Sequence, residues 1–596
     1  MSKGIYFGAR SIVKPGAYSV VNASEMVPNR LGAANTIAVI GQATGGKPRT
    51  FTKVGSPADA ASQLRSGVLL DVMNNMYDPS NEVPGAGDVL YYRLNLAVQA
   101  ALSVLDAGAV AVLNLTAKDY GVHTNQIRTK IEAGSISGKK ITINDVLDTV
   151  NYEMGDNLGN AFSLQYTGAL FACRLSITKT GDVATALLLQ TQAASGADPW
   201  VTMASVDLTN SSLATMGMLT RYLAGLQSMT VTILGDSNEP VGDLDAVSNQ
   251  NVKSAAYTAT ANIGAIVNWV NRNSQLMTAA RVASAVNVPA NVGYTFMTGG
   301  SEGAAPSNSD WQAALDALLS VECNLVFVCS ESAAIHAMAL SHCNTASDVK
   351  ARKERMCFVG GARGETVSQV VTRAQGLAGA RSVLCYPGVN QIDLLSGNIV
   401  NRSSLYTAAL VCGMAGGIRP EIPLTFKTVN GTVQGLETDL QLADIETLLT
   451  YGVLPVEHVA SDGIFRIVQG ITTYLVDDNV IWRKVAGVRI ADYLNSQVRK
   501  AVSRYIGRVA DQRTVTSILN TVVSTLSQLT RSATNQTGVL TAGNKPDGSP
   551  EPAFKNVQAV FDGFDLVAVS YMAHPVGEVG YITITAGLTP TQIVAN

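Results

Sequence analysis

The sequence predicts a multidomain fold of α/β class (α+β overall) with extended strand arms at both ends, and three observations lead to this prediction. The chain has 596 residues, too many for one domain of about 100–200 residues. Short apolar strands alternate with helical patterns in two regions, which is typical of an α/β sheet. The terminal segments carry too few apolar residues to form cores. We therefore predict an N-terminal arm (1–25) and an outer α/β domain in two pieces (26–120 and 255–390), with a β-rich insertion (121–254) between them. An α/β core (391–552) and a C-terminal arm (553–596) follow.

The N-terminal arm is predicted from a bend between two short strand-like pieces. In SIVKPGAYSVVN, β-branched and aromatic residues lie on both sides of Pro15-Gly16. Because this segment cannot build a core, it needs a partner surface.

An α/β unit begins near Ala34. TIAVIG reads as a short buried strand, GQATGGKP as the loop after it, and residues 57–77 show helical spacing through Ala61, Leu64, Val68 and Val72. Residues 121–254 do not continue this alternation of strands and helices. They contain segments such as KKITIND, in which polar and apolar residues alternate, separated by Gly, Asn and Asp. This pattern indicates a β-rich insertion.

The clearest α/β alternation lies between residues 300 and 390. Ser309 is a candidate N-cap for a helix with this apolar face: Trp311, Leu315, Leu318 and Leu319. Strands and helices then alternate in this order: CNLVFVC, residues 331–342, MCFVG, residues 366–377, SVLCY. The run predicts a mainly parallel sheet covered by helices.

The predicted core contains a helix over Thr438–Leu449 and a strand or hairpin in IFRIVQGITTYL. Two amphipathic helical patterns occupy residues 487–531, with these apolar stripes: Ile490, Tyr493, Leu494, Val498 and Val502; Val515, Ile518, Leu519, Val522 and Leu526. Residues 532–552 are predicted to form an exposed loop. In the last strands, DLVAVSYMA and VGYITITAG, apolar side chains alternate with polar ones. This alternation predicts that the C-terminal end is also extended.

No pattern in the sequence predicts a catalytic, cofactor-binding or metal site. GQATGGKP follows a strand, but Pro48 occupies the position where a P-loop requires serine or threonine after its lysine. His336 and His342 lie near three cysteines, yet they are on different faces of a helix, and no CxxC or HExxH pattern accompanies them. The seven cysteines are expected to be buried free thiols.

A cluster of basic residues lies between residues 483 and 513. Only Asp492 and Asp511 oppose these eight side chains: Arg483, Lys484, Arg489, Arg499, Lys500, Arg504, Arg508 and Arg513. The spacing of Lys500, Arg504 and Arg508 predicts a basic stripe on a helix. Three interpretations stay open: a solvated face, a docking surface for an acidic partner, and a nucleic-acid contact. The net charge of −3 argues against the last.

Three segments together resemble the contractile tail sheath family of myophages, which is related to the sheaths of R-type pyocins and type VI secretion systems. KPGAY at Lys14–Tyr18 is similar to the family's Pro-Gly-Val-Tyr segment, with Ala17 in place of valine. The stretch from residue 438 through YGVLPVE to IWRKVAGVRIADYLNSQVRKAV resembles the family's turn, basic pair and long helix, although Leu454 replaces a common asparagine. The terminal DLVAVSYMAHPVGEVGYITITAGL looks like the closing strands. The resemblance covers roughly the first 60 and last 200 residues.

The resemblance implies a structural subunit, without enzyme activity or cofactor, that forms stacked hexameric rings around a tail tube and contracts to drive the tube through the host envelope. Strands would be exchanged between subunits through two sets of residues, one in each arm: Ile12, Val13, Tyr18, Val20 and Val21; Val567, Val569, Tyr571, Ile582 and Ile584. A basic helix with Arg499, Lys500, Arg504 and Arg508 would face the tube. The implied partners are other copies of the chain, the tube, baseplate and tail terminator proteins, with no direct nucleic-acid contact and no membrane insertion.

Two other classes of protein stay open from the sequence: a soluble α/β enzyme with inserted domains, and another self-assembling virion protein. An enzyme of this class needs a polar site at the carboxyl ends of its sheet strands, and we find no residues to fill it. Only 15% of the residues are charged, which favours a surface covered by neighbouring subunits. The first residues lack the apolar core of a signal peptide, so we expect assembly in the host bacterial cytoplasm and a final location in the virion tail.

Overall fold

The computed structural model describes residues 5–7, 10–12, 35–147, 152–283, 285, 287–393 and 396–582. Its first strands, β1 (Ile5–Phe7) and β2 (Arg10–Ile12), pair antiparallel with each other. Of the residues predicted for the N-terminal arm, Ile12 lies in β2. The other four lie outside the described residues: Val13, Tyr18, Val20 and Val21.

Residues 37–93 form the first part of an α/β sheet, with these elements: β3 (Ile37–Gly41), β4 (Phe51–Val54), α1 (Pro57–Leu64), α2 (Val68–Tyr77) and β5 (Val89–Arg93). Ser56 caps α1, because its hydroxyl accepts the Asp59 N–H at 3.2 Å. The helical spacing over 57–77 is divided between two helices. Arg65 and Gly67 both have positive φ, 61° and 111°, and end the first helix before the second begins.

A strand-rich region follows β5, and its elements are β6 (Ala101–Leu105), β7 (Ala111–Ala117), β8 (Ile127–Ala133), β9 (Lys139–Asp145), β10 (Tyr152–Leu158), β11 (Asn160–Tyr166), β12 (Ala172–Thr180), β13 (Val183–Gln192), β14 (Val201–Asp207), α3 (Met216–Ala224), β15 (Met229–Ile233), β16 (Val247–Asn251), β17 (Tyr257–Thr260), α4 (Asn262–Asn273), β18 (Met277–Arg281) and β19 (Val292–Phe296). It has two apolar cores, one within residues 161–261 and one that joins residues 100–143 to 263–297. The region extends beyond the insertion predicted over 121–254, because β18 pairs with β7 and β19 pairs with β8.

The chain then returns to the α/β sheet with α5 (Asn308–Leu318), β20 (Leu325–Val328), α6 (Ala333–Ala346), β21 (Met356–Gly360), α7 (Val367–Leu377), β22 (Ser382–Tyr386), β23 (Val389–Ile392), β24 (Ile399–Arg402), α8 (Ser404–Gly417), β25 (Val433–Leu436), α9 (Leu442–Thr450), β26 (Val453–Val459) and β27 (Ile464–Ile467). The N-cap of α5 is Ser307 rather than Ser309. Ser307 and Asp310 form a reciprocal capping box, in which the Ser307 N–H donates to the Asp310 carboxylate at 2.9 Å, and Ser309 lies inside the first turn of the helix.

These strands form one eight-stranded sheet in the order β27-β26-β22-β21-β20-β3-β5-β4. The six central strands are parallel, and each edge strand is antiparallel to its neighbour. Helices α2 and α8 pack on one face and α5, α6 and α7 on the other. The predicted fold class, a mainly parallel sheet covered by helices, is confirmed. The boundary predicted at residue 390 does not separate two domains, because β22 and β26 are neighbours in this sheet.

Helix α8 is buried along its whole length beside α2. Gly413 lies at the contact, where an added Cβ would come within 2.5 Å of Met76 Cα. The apolar sequence of α8 is therefore that of a helix inside a protein core. Among the helices that the structure describes, none has both the length and the hydropathy required to span a membrane.

The last unit consists of α10 (Val480–Arg483), α11 (Val485–Val502), α12 (Gln512–Gln528), β28 (Gly543–Asn544), β29 (Pro550–Glu551), β30 (Phe554–Phe561) and β31 (Val567–Ala573). Asp511 caps α12, since its carboxylate accepts the Thr514 N–H at 2.7 Å. The two long helices predicted within 487–531 are present. The first apolar stripe, together with Val522 and Leu526 of the second, packs between the helices and the β30–β31 hairpin. The Val485 end of α11 also packs into the core of the eight-stranded sheet.

Candidate assembly surfaces

The β30–β31 hairpin packs one face on the chain's own helices. Strands β30 and β31 pair antiparallel, with Ala559 opposite Val569. Val569 and Tyr571 contact the apolar core that α11 and α12 share. The prediction that Val567, Val569 and Tyr571 belong to an arm that pairs with a neighbour is therefore corrected. They form a strand of their own chain's hairpin, because α12 and β30 offer an apolar surface within reach.

The outer face of the same hairpin is exposed and partly apolar. Val560 and Met572 project from the face opposite the helices, and Phe564 and Leu566 lie exposed in the turn. Among the described residues, β30 and β31 pair only with each other, so each strand has an edge with unpaired backbone groups.

The segment after β31 is held to its own chain as far as Glu578. The Glu578 carboxylate pairs with Lys484 and accepts a 3.3 Å hydrogen bond from the Thr425 hydroxyl. The following apolar side chains, Val579, Tyr581 and Ile582, are exposed. Of the predicted arm residues, Ile582 is thus exposed and Ile584 lies outside the described residues.

The basic residues after Lys500 do not continue one helix, so the predicted helical stripe is wrong. Helix α11 ends at Val502, a single 3-10 turn covers Ser503–Tyr505, and Gly507 has a φ of 82°. A left-handed residue at this point favours glycine and ends the helical path. Arg504 lies in the 3-10 turn and Arg508 in the loop after it.

Arg504 and Arg508 instead flank the ring of Tyr505. Their guanidinium carbons lie 5.2 and 5.4 Å from the ring centroid. The hydrogen bond with Thr521 and the two guanidinium groups lower the pKa of Tyr505. We call residues 503–511 the basic loop.

Two features of the basic loop escaped the sequence analysis. Ile506 and Val509 are each 81% exposed, so the loop combines positive charge with apolar side chains. Their position between the arginines, in a segment without apolar periodicity, was the signal that could have identified them. Arg499, in contrast, is compensated by Glu354 at 2.5 Å, and Lys500 lines a cavity beside α11.

The segments that resemble nucleotide or metal sites have structural roles. In the loop after β3, the Gly46 N–H donates to Asp119 at 2.9 Å and the Gly46 carbonyl accepts from Arg93 at 2.8 Å. Both backbone groups of Gly46 are therefore already hydrogen-bonded to side chains of this chain. His336 is buried and bonds the Ser330 carbonyl at 2.7 Å, and burial lowers its pKa to about 4. Within the described residues no three His, Cys, Asp or Glu side chains are grouped to hold a metal. All seven cysteines are free thiols, and six of them are buried.

Comparisons with known proteins agree on one family. A family model described as the phage tail sheath protein central domain matches residues 304–473. The tail sheath protein of Bacillus phage SP01 is 29% identical over 531 residues, which cover 89% of this chain and 90% of that protein. The putative tail sheath protein of Enterococcus phage phiEF24C is 25% identical, with 97% of both chains covered. A sheath tail protein from Listeria innocua has 15% identity and a TM-score of 0.49, and the match covers 91% of this chain and 96% of that one.

Proposed function

The chain belongs to the family of phage tail sheath proteins, and from this premise we propose that it polymerises as stacked hexameric rings around a tail tube and contracts to drive the tube through the host envelope. It is a structural protein of the virion tail, not an enzyme. The assembly steps, the tube, baseplate and terminator partners, and assembly in the host cytoplasm are part of the proposal.

Strand exchange through the β30–β31 hairpin is the step that links the subunits. The observation that carries it is a two-stranded sheet with exposed edges and exposed apolar side chains at Val560 and Met572. Arms from adjoining copies, with the residues predicted at the N-terminus and with Ile582 and Ile584, add strands to these edges. Each hydrogen bond contributes about 0.5–1.5 kcal/mol net, so several per arm hold a lattice.

Contraction is a change of packing between subunits that keep these strand connections. The eight-stranded sheet and the C-terminal helices share apolar core contacts through Val485 and Val488, so they move together as one body. Strand arms are compatible with such a movement, because they keep copies connected while the bodies shift between two packings. The energy difference is stored during assembly, and no cofactor takes part.

The basic loop is the proposed contact with the tube. Arg504 and Arg508 supply positive charge, and Ile506 and Val509 supply exposed apolar surface on the same short loop. Arg499 and Lys500, which were also predicted to face the tube, lie in the last turn of α11, just before the basic loop. Since Arg499 already pairs with Glu354, we assign the main role to Arg504 and Arg508.

Electron microscopy of the purified full-length chain, alone and mixed with the tube protein, tests this function. We expect striated hollow cylinders from the chain alone and cylinders that surround tubes in the mixture. Arg504→Glu with Arg508→Glu should leave hollow cylinders intact and abolish attachment to the tube. Arg221→Glu, a charge reversal in the strand-rich region, should leave both the cylinders and their attachment to the tube intact. Discrete particles from the unmodified chain would contradict the polymer, and tube attachment by the double variant would contradict the role of the loop.

A further inference from the structure

The sheet β10-β9-β8-β19 of the strand-rich region has one face in its own apolar core and an opposite face that carries cations and aromatic rings. The inner face contributes four side chains to the core: Ile127, Ile131, Ile141 and Ile143. On the opposite face the strand register aligns side chains in two rows: Phe296, Arg128, Asn144 and Tyr152; Lys130, Thr142 and Met154. Residues directly opposite each other in paired strands share a face of the sheet. We call this second surface the cationic face.

Large apolar side chains of the cationic face are exposed to solvent. Tyr294 belongs to this face, because Arg128 and Lys130 lie over its ring, 4.2 and 5.8 Å from the centroid. Four side chains are 42–55% exposed: Tyr152, Met154, Tyr294 and Phe296. Exposed apolar side chains that adjoin one another, unlike scattered ones, mark an interaction surface.

Arg128 is held in place on this face but has no carboxylate partner. Its guanidinium stacks on Tyr294, and its Nε donates to Asn144 Oδ1 at 3.0 Å. The two terminal nitrogens of Arg128 form no hydrogen bond or ion pair with any residue that the structure describes. Lys130, in contrast, pairs with Glu132 at 2.7 Å. A stacked guanidinium with free donors is suited to binding a carboxylate.

A surface of the opposite charge lies at α9. Residues 428–465 contain six acidic residues and neither lysine nor arginine. Three of the six are engaged within the chain: Glu437 by the Gly364 N–H, Asp444 by the cap of α9 and Glu457 by Arg466.

Asp439 and Glu446 are not engaged in this way. Neither forms an ion pair within the described parts of the chain, and Asp439 and Glu446 are both exposed. Leu442, which begins α9 one turn before Glu446, is 72% exposed. We call Asp439, Leu442 and Glu446 the acidic face of α9.

We propose that the cationic face of one copy binds the acidic face of α9 in a second copy. Glu446 then pairs with the Arg128 guanidinium. Leu442 packs against Tyr152 in the same contact. Positive charge meets negative charge, and both surfaces carry exposed apolar side chains, so they are complementary in two respects. Since both surfaces are exposed in the single chain, they do not cover each other there, and a second copy supplies the partner.

This contact rests on the proposed polymer and adds to it a connection that is separate from the β30–β31 strands. It joins the strand-rich region of one copy to the central sheet of another, because α9 packs on β26. Strand exchange and this contact can therefore be tested one at a time.

A charge-reversal cycle in the full-length chain tests the pairing, with the concentration at which polymer forms measured by sedimentation. Arg128→Glu and Glu446→Arg should each raise that concentration about tenfold, because like charges then face each other. The chain with both substitutions should recover most of the loss. Arg221→Glu, which reverses an exposed charge on α3, should leave the concentration unchanged.

Leu442→Lys is a second test that does not depend on the packing of Arg128. Because Leu442 is 72% exposed, thermal unfolding of the unassembled chain should be unaffected, while the concentration needed for polymer should rise. Assembly unchanged by Arg128→Glu and by Leu442→Lys would overturn the contact, and so would two harmful reversals without recovery in the double variant. Absence of polymer from the unmodified chain would overturn the proposed function together with the contact.

Discussion

Arg381 and Asp492 form a bidentate ion pair, with Nη1–Oδ2 and Nη2–Oδ1 distances of 2.8 and 2.9 Å. Arg381 directly precedes β22 in the central sheet, and Asp492 lies on α11. Both side chains are mostly buried, 17% and 16% exposed, so solvent screens the pair little. The pair joins the C-terminal helices to the sheet, which supports treating these parts as one body in the proposed contraction.

Removing one partner of this pair should destabilise the body strongly. Asp492→Leu leaves the Arg381 guanidinium buried without a carboxylate, and we expect a loss of about 3 kcal/mol. Arg381→Met combined with Asp492→Leu should recover most of that loss, because no uncompensated charge is left. Urea unfolding of the four chains of this mutant cycle measures the coupling. Losses that simply add in the double variant would show that the pair contributes little.

His336 should make the body less stable in acid. Burial lowers its folded pKa to about 4, below the ordinary value of 6.5, so the unfolded chain binds the proton more readily. Stability is therefore present above pH 6.5 and is lost as the pH falls toward 4, by up to about 3 kcal/mol from this residue. His336→Gln should flatten this dependence in unfolding experiments between pH 7 and 4. A slope equal to that of the unmodified chain would contradict the assignment.

Glu239 should have the opposite effect in the strand-rich region. Burial, together with the nearby Asp243, raises its pKa to about 8, so the folded chain holds a proton that the unfolded chain releases above pH 4.5. Stability falls as the pH rises from 4.5 to 8, by up to about 5 kcal/mol. Glu239→Gln should remove that fall, whereas Asp182→Asn, an exposed carboxylate of the same region, should not. Thermal unfolding at pH 6 and 9 distinguishes these outcomes.

The outer face of the hairpin should be required for assembly but not for folding. Met572→Lys adds a charge to an exposed apolar site, and its cost to the isolated chain should stay within about 0.5 kcal/mol. We expect it to reduce the polymer fraction in sedimentation, because it places a charge where a neighbouring arm is proposed to pack. Ile136→Lys, an exposed apolar position in the strand-rich region, is the matched control. Equal polymer fractions for the two variants would argue against the hairpin as the docking surface.

Local patterns predicted the elements of the fold better than their arrangement. CNLVFVC, MCFVG and SVLCY became β20, β21 and β22, because an apolar run between turn residues has few alternatives to a buried strand. The domain boundary at 390 failed for a different reason. Pairing of β22 with β26 joins residues far apart in sequence, and the composition near 390 carries no trace of it.

The candidate surfaces were predictable in part. The basic residues were visible in the sequence, but the end of α11 at Val502 and the positive φ of Gly507, which place Arg504 and Arg508 outside the helix, were not predicted. Val569 and Tyr571 show the same alternation as an arm strand, and only the packing of α12 makes them part of the hairpin. The cavity beside α11 is lined by residues from five separate segments of the chain, so no single sequence window could contain it.

A cryo-electron microscopy map of the assembled polymer, at a resolution that traces single strands, would show whether strands are exchanged between copies. We expect residues of the N-terminal arm and those after Ile582 to pair with β30 or β31 of other copies, so that each sheet contains strands from more than one chain. A map in which both arms fold back on their own chain, with no β-pairing between copies, would contradict the account.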